Sequence, residues 1–227
     1  MKTAPPDIIV YGGSFDPPHQ GHVDCVYKAL ETWPESKLII FPGYQPAGAR
    51  GLHKTPDTPF EDRLAMARLA FGEAAGRIEI SALEKDLPVP NYTVNTLKRF
   101  VDMYPDARIS LMMGLDQFKE FHRWSDPAGI LKQAGLVVVR RDTRESIVEI
   151  ADRVANRLQL TLEWHERNRV AEISGHSSRI DILDTVTSTA ASSEIKFRLR
   201  QKTALPHGWI PQAVIEFIES HHLYEGG

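Results

Sequence analysis

Six short apolar runs rich in β-branched residues recur along the chain: DIIVY at 7–11, KLIIF at 37–41, RIEI at 77–80, RISLMM at 108–113, GLVVV at 135–139 and RIDIL at 179–183. Runs of this kind, apolar on successive residues, predict strands buried on both faces rather than strands with one face in water. Between them the apolar residues change to a helical period. Val23, Val26, Tyr27 and Leu30 form one stripe, and Met66, Leu69 and Ala70 another. Val94, Leu97 and Val101 form a third, and Ile147, Ile150, Ala151, Val154 and Leu158 a fourth. Strands alternating with helices are joined by right-handed crossovers, so the pattern predicts an α/β fold, a doubly wound parallel sheet covered on both faces. A last stretch, WIPQAVIEFIESHHLY, carries Val214, Phe217 and Ile218 on one face after Pro211 and predicts a C-terminal docking helix.

The 227 residues suffice for one large α/β domain with its own core. No shift in composition divides them, which suggests a single domain: 1–141 as core sheet and helices, 142–178 as a more polar peripheral excursion with one helix and room for a hairpin, and 179–227 as the last strand and C-terminal helices. The Gly- and Pro-rich stretch at 42–59 reads as a long loop, of the sort that carries ligands at strand ends. With 27 basic and 30 acidic residues the formal charge is -3, which argues against an electrostatic grip on nucleic acid. One cysteine, Cys25, excludes an intramolecular disulfide framework and reads as a small packing residue. No run approaches the ~18 apolar residues of a membrane span, so the expectation is a cytoplasmic protein without a membrane partner. The sequence leaves a homo-oligomer open.

The first strand runs into GGSFDPPHQGH, residues 12–22. Gly12 and Gly13 remove side chains where an anion could approach the backbone. Pro17 and Pro18 delay the helix to about Pro18, which places His19 and His22 in the first helical turn. Spaced i, i+3, the two imidazoles share a face at the end of the helix where the macrodipole favours an anion. Gly21 between them removes bulk. The pair lacks a third ligand at metal-site spacing, and HERNR at 165–169 lacks the second histidine of a zinc-protease helix.

His19-Gln20-Gly21-His22 resembles the HxGH signature of the nucleotidyltransferase superfamily, and the longer string is similar to that of the bacterial nicotinate-nucleotide adenylyltransferases. HK at 53–54, PNYTVNTL at 90–97, MGLDQFKEFHRW at 113–124, VVVRR at 137–141, SSEIKFRLR at 192–200 and the ending IPQAVIEFIESHHLY follow in that family's order. The resemblance implies a Rossmann-like nucleotidyltransferase fold with C-terminal helices. It also implies transfer of AMP from ATP, carried with Mg2+, to nicotinate mononucleotide in NAD biosynthesis. On the same basis His19 and His22 are the expected catalytic pair. Gly12, Gly13, Ser14, Phe15, Gly114, Asp116, Arg140, Ser192, Ser193 and Lys196 complete the expected ATP site. Lys54, Tyr92, Thr93 and Trp124 are expected to bind the acceptor, with Trp124 as a stacking platform. The chain departs from the family at AASSEIK, where Ala191 replaces a serine and Lys196 an arginine, which keeps the charge but loses the bidentate fork. At this level two alternatives stay open: the same fold with another acceptor (nicotinamide mononucleotide, phosphopantetheine or a cytidylyl-transfer substrate), and a non-catalytic nucleotide-sensing module.

Overall fold

The computed structural model describes residues 4–47, 56–72, 76–141, 145–167, 169–186 and 188–225. Each of the six apolar runs is a strand: β1 (Ile8–Gly13), β2 (Lys37–Pro42), β3 (Ile78–Ile80), β4 (Ile109–Gly114), β5 (Gly135–Arg140) and, last in the chain, β8 (Arg179–Asp184). Two strands that the apolar pattern does not predict, β6 (Leu162–His165) and β7 (Val170–Ile173), precede β8. Together they form an eight-stranded sheet of order β3-β2-β1-β4-β5-β8-β7-β6. The ladders from β3 to β8 are parallel, while β7 pairs antiparallel with both β8 and β6. The expectation of a purely parallel sheet is corrected at this edge, because the short segment between β6 and β7 can only reverse the chain, not cross over it.

Successive strand residues supply the two covering layers in turn. Ile9, Tyr11, Leu38, Ile40, Met112, Val137 and Val139 face α1 (Gln20–Thr32), α2 (Phe60–Phe71) and the last two helices, α7 (Ser192–Arg200) and α8 (Gln212–Ser220). Ile8, Val10, Ile39, Leu111, Met113, Leu136 and Val138 face the opposite layer, with α3 (Thr93–Met103), the short α4 (Leu115–Lys119), α5 (Pro127–Gln133) and α6 (Ile147–Arg157). This period-two division is what lets each run be apolar throughout. Two residues of the predicted helix stripes lie outside the core: Tyr27 is 48% and Leu69 43% exposed. Both sit at the margin of their helix face, where Tyr27 lays its ring along the surface and donates its hydroxyl to the Phe71 carbonyl at 3.3 Å.

From β1 the chain winds one way to β2 and β3, then crosses to β4 and β5 on the other side. The crevice beyond the carboxyl ends of β1 and β4 is therefore the topological switch point, the place where open α/β sheets bind ligands. Gly12 and Gly13, Gly114, Arg140 and Asp184 end the strands on this rim.

Candidate active site

The turn after β1 is built around aromatic rings. A Cβ on Gly12 would lie 2.5 Å from the Phe41 ring, and one on Gly13 would lie 3.0 Å from the Phe15 ring. These glycines thus make room for the Phe41 and Phe15 rings. Phe15 itself is 2% exposed and has a φ of 48°, a left-handed backbone that costs an L residue about 1–2 kcal/mol. Its ring holds that conformation by meeting Tyr11 at 5.5 Å, Phe71 at 5.4 Å and His22 at 5.2 Å between centroids. Buried Arg63 fastens the outside of the turn, donating to the Ser14 carbonyl at 2.9 Å and the Thr58 carbonyl at 3.0 Å. The Ser14 side chain is exposed on the rim.

His19 caps α1 rather than lying in its first turn, since the helix begins at Gln20. The i, i+3 spacing nevertheless brings the two rings face to face, with centroids 3.7 Å apart and planes 28° from parallel. The His19 amide donates to His22 Nδ1 at 3.2 Å. A ring nitrogen that accepts carries no proton, so neutral His22 holds its hydrogen on Nε2, where it can donate. Gly21 fits closely here: a Cβ would lie 3.1 Å from both the His19 ring and the Ser188 carbonyl, and one of them would have to give way. The amides at the helix start are already partly engaged, Gln20 with the Trp209 carbonyl at 2.8 Å and His22 with the His19 carbonyl at 2.8 Å. Binding of an anion at this end therefore falls mainly to the imidazoles.

Burial, with the nearby Arg141 charge second, lowers His19 to about 4. Burial, the His19 ring and Arg141 hold His22 well below the ordinary histidine range. Both rings are neutral at pH 7. Because the folded value of His19 is depressed, its contribution to stability is intact above 6.5 and is lost as pH falls toward 4, where the unfolded chain takes up the proton first. Chemical denaturation at pH 7 and pH 5 should show that His19 costs the protein about 2 kcal/mol on acidification. A His19→Gln variant should lack that increment, and an equal loss in the variant would remove the assignment.

Helix α7 meets the turn directly. Ser192 Oγ donates to the Pro17 carbonyl at 3.0 Å, while Ser193 is exposed. Lys196 does not stand free for a phosphate: its ammonium lies 2.9 Å from Asp16 Oδ2 and 2.8 Å from Asp57 Oδ2. Arg200 also reaches Asp57, at 2.7 Å. Asp16 is 3% exposed and also accepts from the Tyr224 hydroxyl at 2.8 Å and the Asp57 amide at 2.9 Å. Burial alone would raise the Asp16 carboxyl, but the hydrogen bonds it receives outweigh this and hold it below the usual carboxylate range. The turn, the segment before α2, α7 and the C-terminal Tyr224 are thereby tied at one buried carboxylate. Sequence spacing carries no sign of this knot.

The remaining rim residues are placed as follows. A Cβ on Gly114 would meet nothing within 4 Å, so the end of β4 opens onto the crevice, and Asp116 is exposed in the first turn of α4. Arg140 reaches sideways along the sheet to Asp184 Oδ1 at 2.6 Å. Tyr92 is the exposed N-cap of α3 and Thr93 its first residue. Trp124 is partly buried, meeting Phe121 edge-on at 5.6 Å. Lys54 lies outside the described residues. Two buried residues not assigned a role in the sequence, Glu84 and Asn91, organise the Tyr92 end. Buried Glu84 accepts from Thr96 Oγ1 at 2.8 Å and from the Tyr44 amide at 3.0 Å, and Asn91 Oδ1 accepts from the Gln45 amide at 2.8 Å. They stitch the start of the Gly/Pro loop to the start of α3. Burial pushes the Glu84 carboxyl up, with the Thr96 hydroxyl pulling the other way.

The cytidylyltransferase-like family model matches residues 10–194, a span that runs from β1 through the histidine pair into α7. A protein of Hydrogenovibrio crunogenus named "Probable nicotinate-nucleotide adenylyltransferase" is 30% identical over 220 residues, covering 96% of this chain and 97% of its own. The chain belongs to the cytidylyltransferase-like family. A relative of the same name from Aquifex aeolicus is 37% identical over 134 residues, covering 59% of this chain and 77% of its own. In three dimensions this family member resembles Plasmodium falciparum nicotinic acid mononucleotide adenylyltransferase complexed with NaAD. The TM-score is 0.70 at 16% identity, with 96% of each chain covered, which establishes the shared α/β fold. Among the described residues no helix is long and apolar enough to cross a membrane.

Proposed function

We propose that this chain transfers AMP from ATP to nicotinate mononucleotide, giving nicotinate adenine dinucleotide and pyrophosphate, a step of NAD biosynthesis. The observation that carries the reading is the stacked pair His19 and His22 at the start of α1, set in a chain related along nearly its whole length to proteins named for that reaction. The acceptor phosphate has a second pKa near ~6 and is mostly dianionic at pH 7, so it attacks without a general base. Its oxygen forms a bond to the α-phosphorus while the bond from that phosphorus to the β-bridging oxygen breaks, and pyrophosphate leaves with the electron pair. No net proton transfer is needed. Catalysis then consists of aligning two anions that repel each other and placing donors where charge develops.

His22, through the hydrogen on its Nε2, and His19 donate to the phosphates of ATP. Ser14, Ser193 and the first turn of α7 border the same space. Gly114 admits the nucleoside, and Asp116 accepts from ribose hydroxyls, as acidic residues do in other α/β nucleotide sites. Tyr92, Thr93 and Trp124 receive the pyridine nucleotide, with Lys54 as a further cation toward its phosphate. The whole chain acts as one nucleotidyltransferase domain. Mg2+ would enter with ATP, held by triphosphate oxygens. The ion would reduce the negative charge on the triphosphate.

Comparing acceptors tests this reading. With ATP and Mg2+, turnover should be fastest with nicotinate mononucleotide; faster turnover with nicotinamide mononucleotide or phosphopantetheine would replace it. Trp124→Ala should raise the acceptor KM about tenfold, the scale of a lost aromatic stack, with the ATP KM nearly unchanged. An unchanged acceptor KM would leave Trp124 a purely structural contact on Phe121.

A further inference from the structure

Two arginines follow one another at the end of β5 and take different directions. Arg140 turns along the sheet to Asp184, whereas Arg141 crosses to α1, with Nη2 3.9 Å from Cys25 Sγ. Cys25 is one helical turn beyond His22, and its thiol donates to the Gly21 carbonyl at 2.9 Å, so the guanidinium lies against the segment that carries both histidines. The basic groups nearby are engaged: Lys196 by Asp16 and Asp57, Arg198 by Glu194 at 2.7 Å, Arg200 by Asp57, and Arg63 by two carbonyls. Among the described residues no carboxylate pairs with Arg141, which is exposed. Its field nonetheless reaches inward, since its charge opposes protonation of both His19 and His22. Two neutral imidazoles and a guanidinium without a carboxylate partner among the described residues are unfavourable to a further cation and suited to a multiply charged anion.

We propose that Arg141 is a further ATP-binding residue, which closes on the polyphosphate beside His19 and His22 and supplies the charge that Lys196, shared between two carboxylates, does not. The proposal rests on ATP as the donor substrate. A guanidinium meets phosphate oxygens with two parallel hydrogen bonds, a grip that a lysine cannot copy. Arg141 thus takes over part of the function of the arginine that the family has at the position of Lys196.

The test is calorimetric binding of ATP with Mg2+, and of adenosine, to the wild-type chain, Arg141→Ala and Arg141→Lys, together with NMR titration of the histidine rings. For Arg141→Ala we expect ATP to bind at least about tenfold more weakly, as for a lost charge-assisted hydrogen bond, and adenosine to stay within about twofold. Arg141→Lys should recover part of the loss. His19 and His22 should titrate at higher pH in Arg141→Ala and close to wild type in Arg141→Lys. ATP affinity within about twofold of wild type in Arg141→Ala, an equal loss for adenosine, or an unmoved histidine titration would each overturn the proposal. Binding is read directly, so a wild-type chain that bound ATP but failed to use nicotinate mononucleotide would refute the acceptor and leave the test of Arg141 intact.

Discussion

His22→Ala should lower kcat by at least about 100-fold, the cost of removing a donor aimed at charge that develops in the transition state. The expectation comes from the tautomer. The His19 amide occupies Nδ1, so the hydrogen on Nε2 is the one the ring has to give. The ATP KM should change much less than kcat, because His19 and the start of α7 still meet the ground-state phosphates. His22 also packs on Phe15 and Tyr11, so the far-UV spectrum and unfolding midpoint need recording alongside the kinetics. A folded His22→Ala with near-wild-type kcat would take His22 out of the chemistry.

Asp16→Ala should cost about 3–5 kcal/mol of stability, the range for removing one member of a buried ion pair. Three groups lose a partner at once: the Lys196 ammonium, the Tyr224 hydroxyl and the Asp57 amide. The loss is measured as a shift in denaturation midpoint with unchanged slope. Tyr224→Phe removes a single hydrogen bond from the same carboxylate and should cost about 1 kcal/mol. If Asp16→Ala proved no less stable than Tyr224→Phe, the buried knot would contribute little and the turn would be held by Phe15 and Arg63 instead.

What could be read from the sequence divides along physical lines. The six buried strands were legible because a strand covered on both faces needs apolar residues in succession. The β6 and β7 hairpin was legible only as room for one within 142–178, because Leu162–His165 lies at a sheet edge, half in water, and its mixture of Glu, Trp and His has no such signature. The histidine pair was legible from local spacing. The packing of Gly12 was not legible, since it depends on a ring at Phe41 that only the β1 and β2 register brings alongside. The knot at Asp16 joins residues as far apart as Tyr224, 208 positions away, and nothing local in either residue points to the other. Arg140 and Arg141 show the limit most sharply. Neighbours at a strand end leave in different directions: Arg141 continues the Val137 and Val139 face toward α1, while the pairing of β5 with β8 sets Asp184 beside Arg140.

The most direct measurement follows the α-phosphorus. The protein is incubated with ATP labelled at the α-phosphate, Mg2+ and nicotinate mononucleotide, and the products are separated. The label should pass into nicotinate adenine dinucleotide with an equal amount of unlabelled pyrophosphate released. Label that stays in ATP, or that appears as AMP whether or not the acceptor is added, would contradict adenylyl transfer by this site.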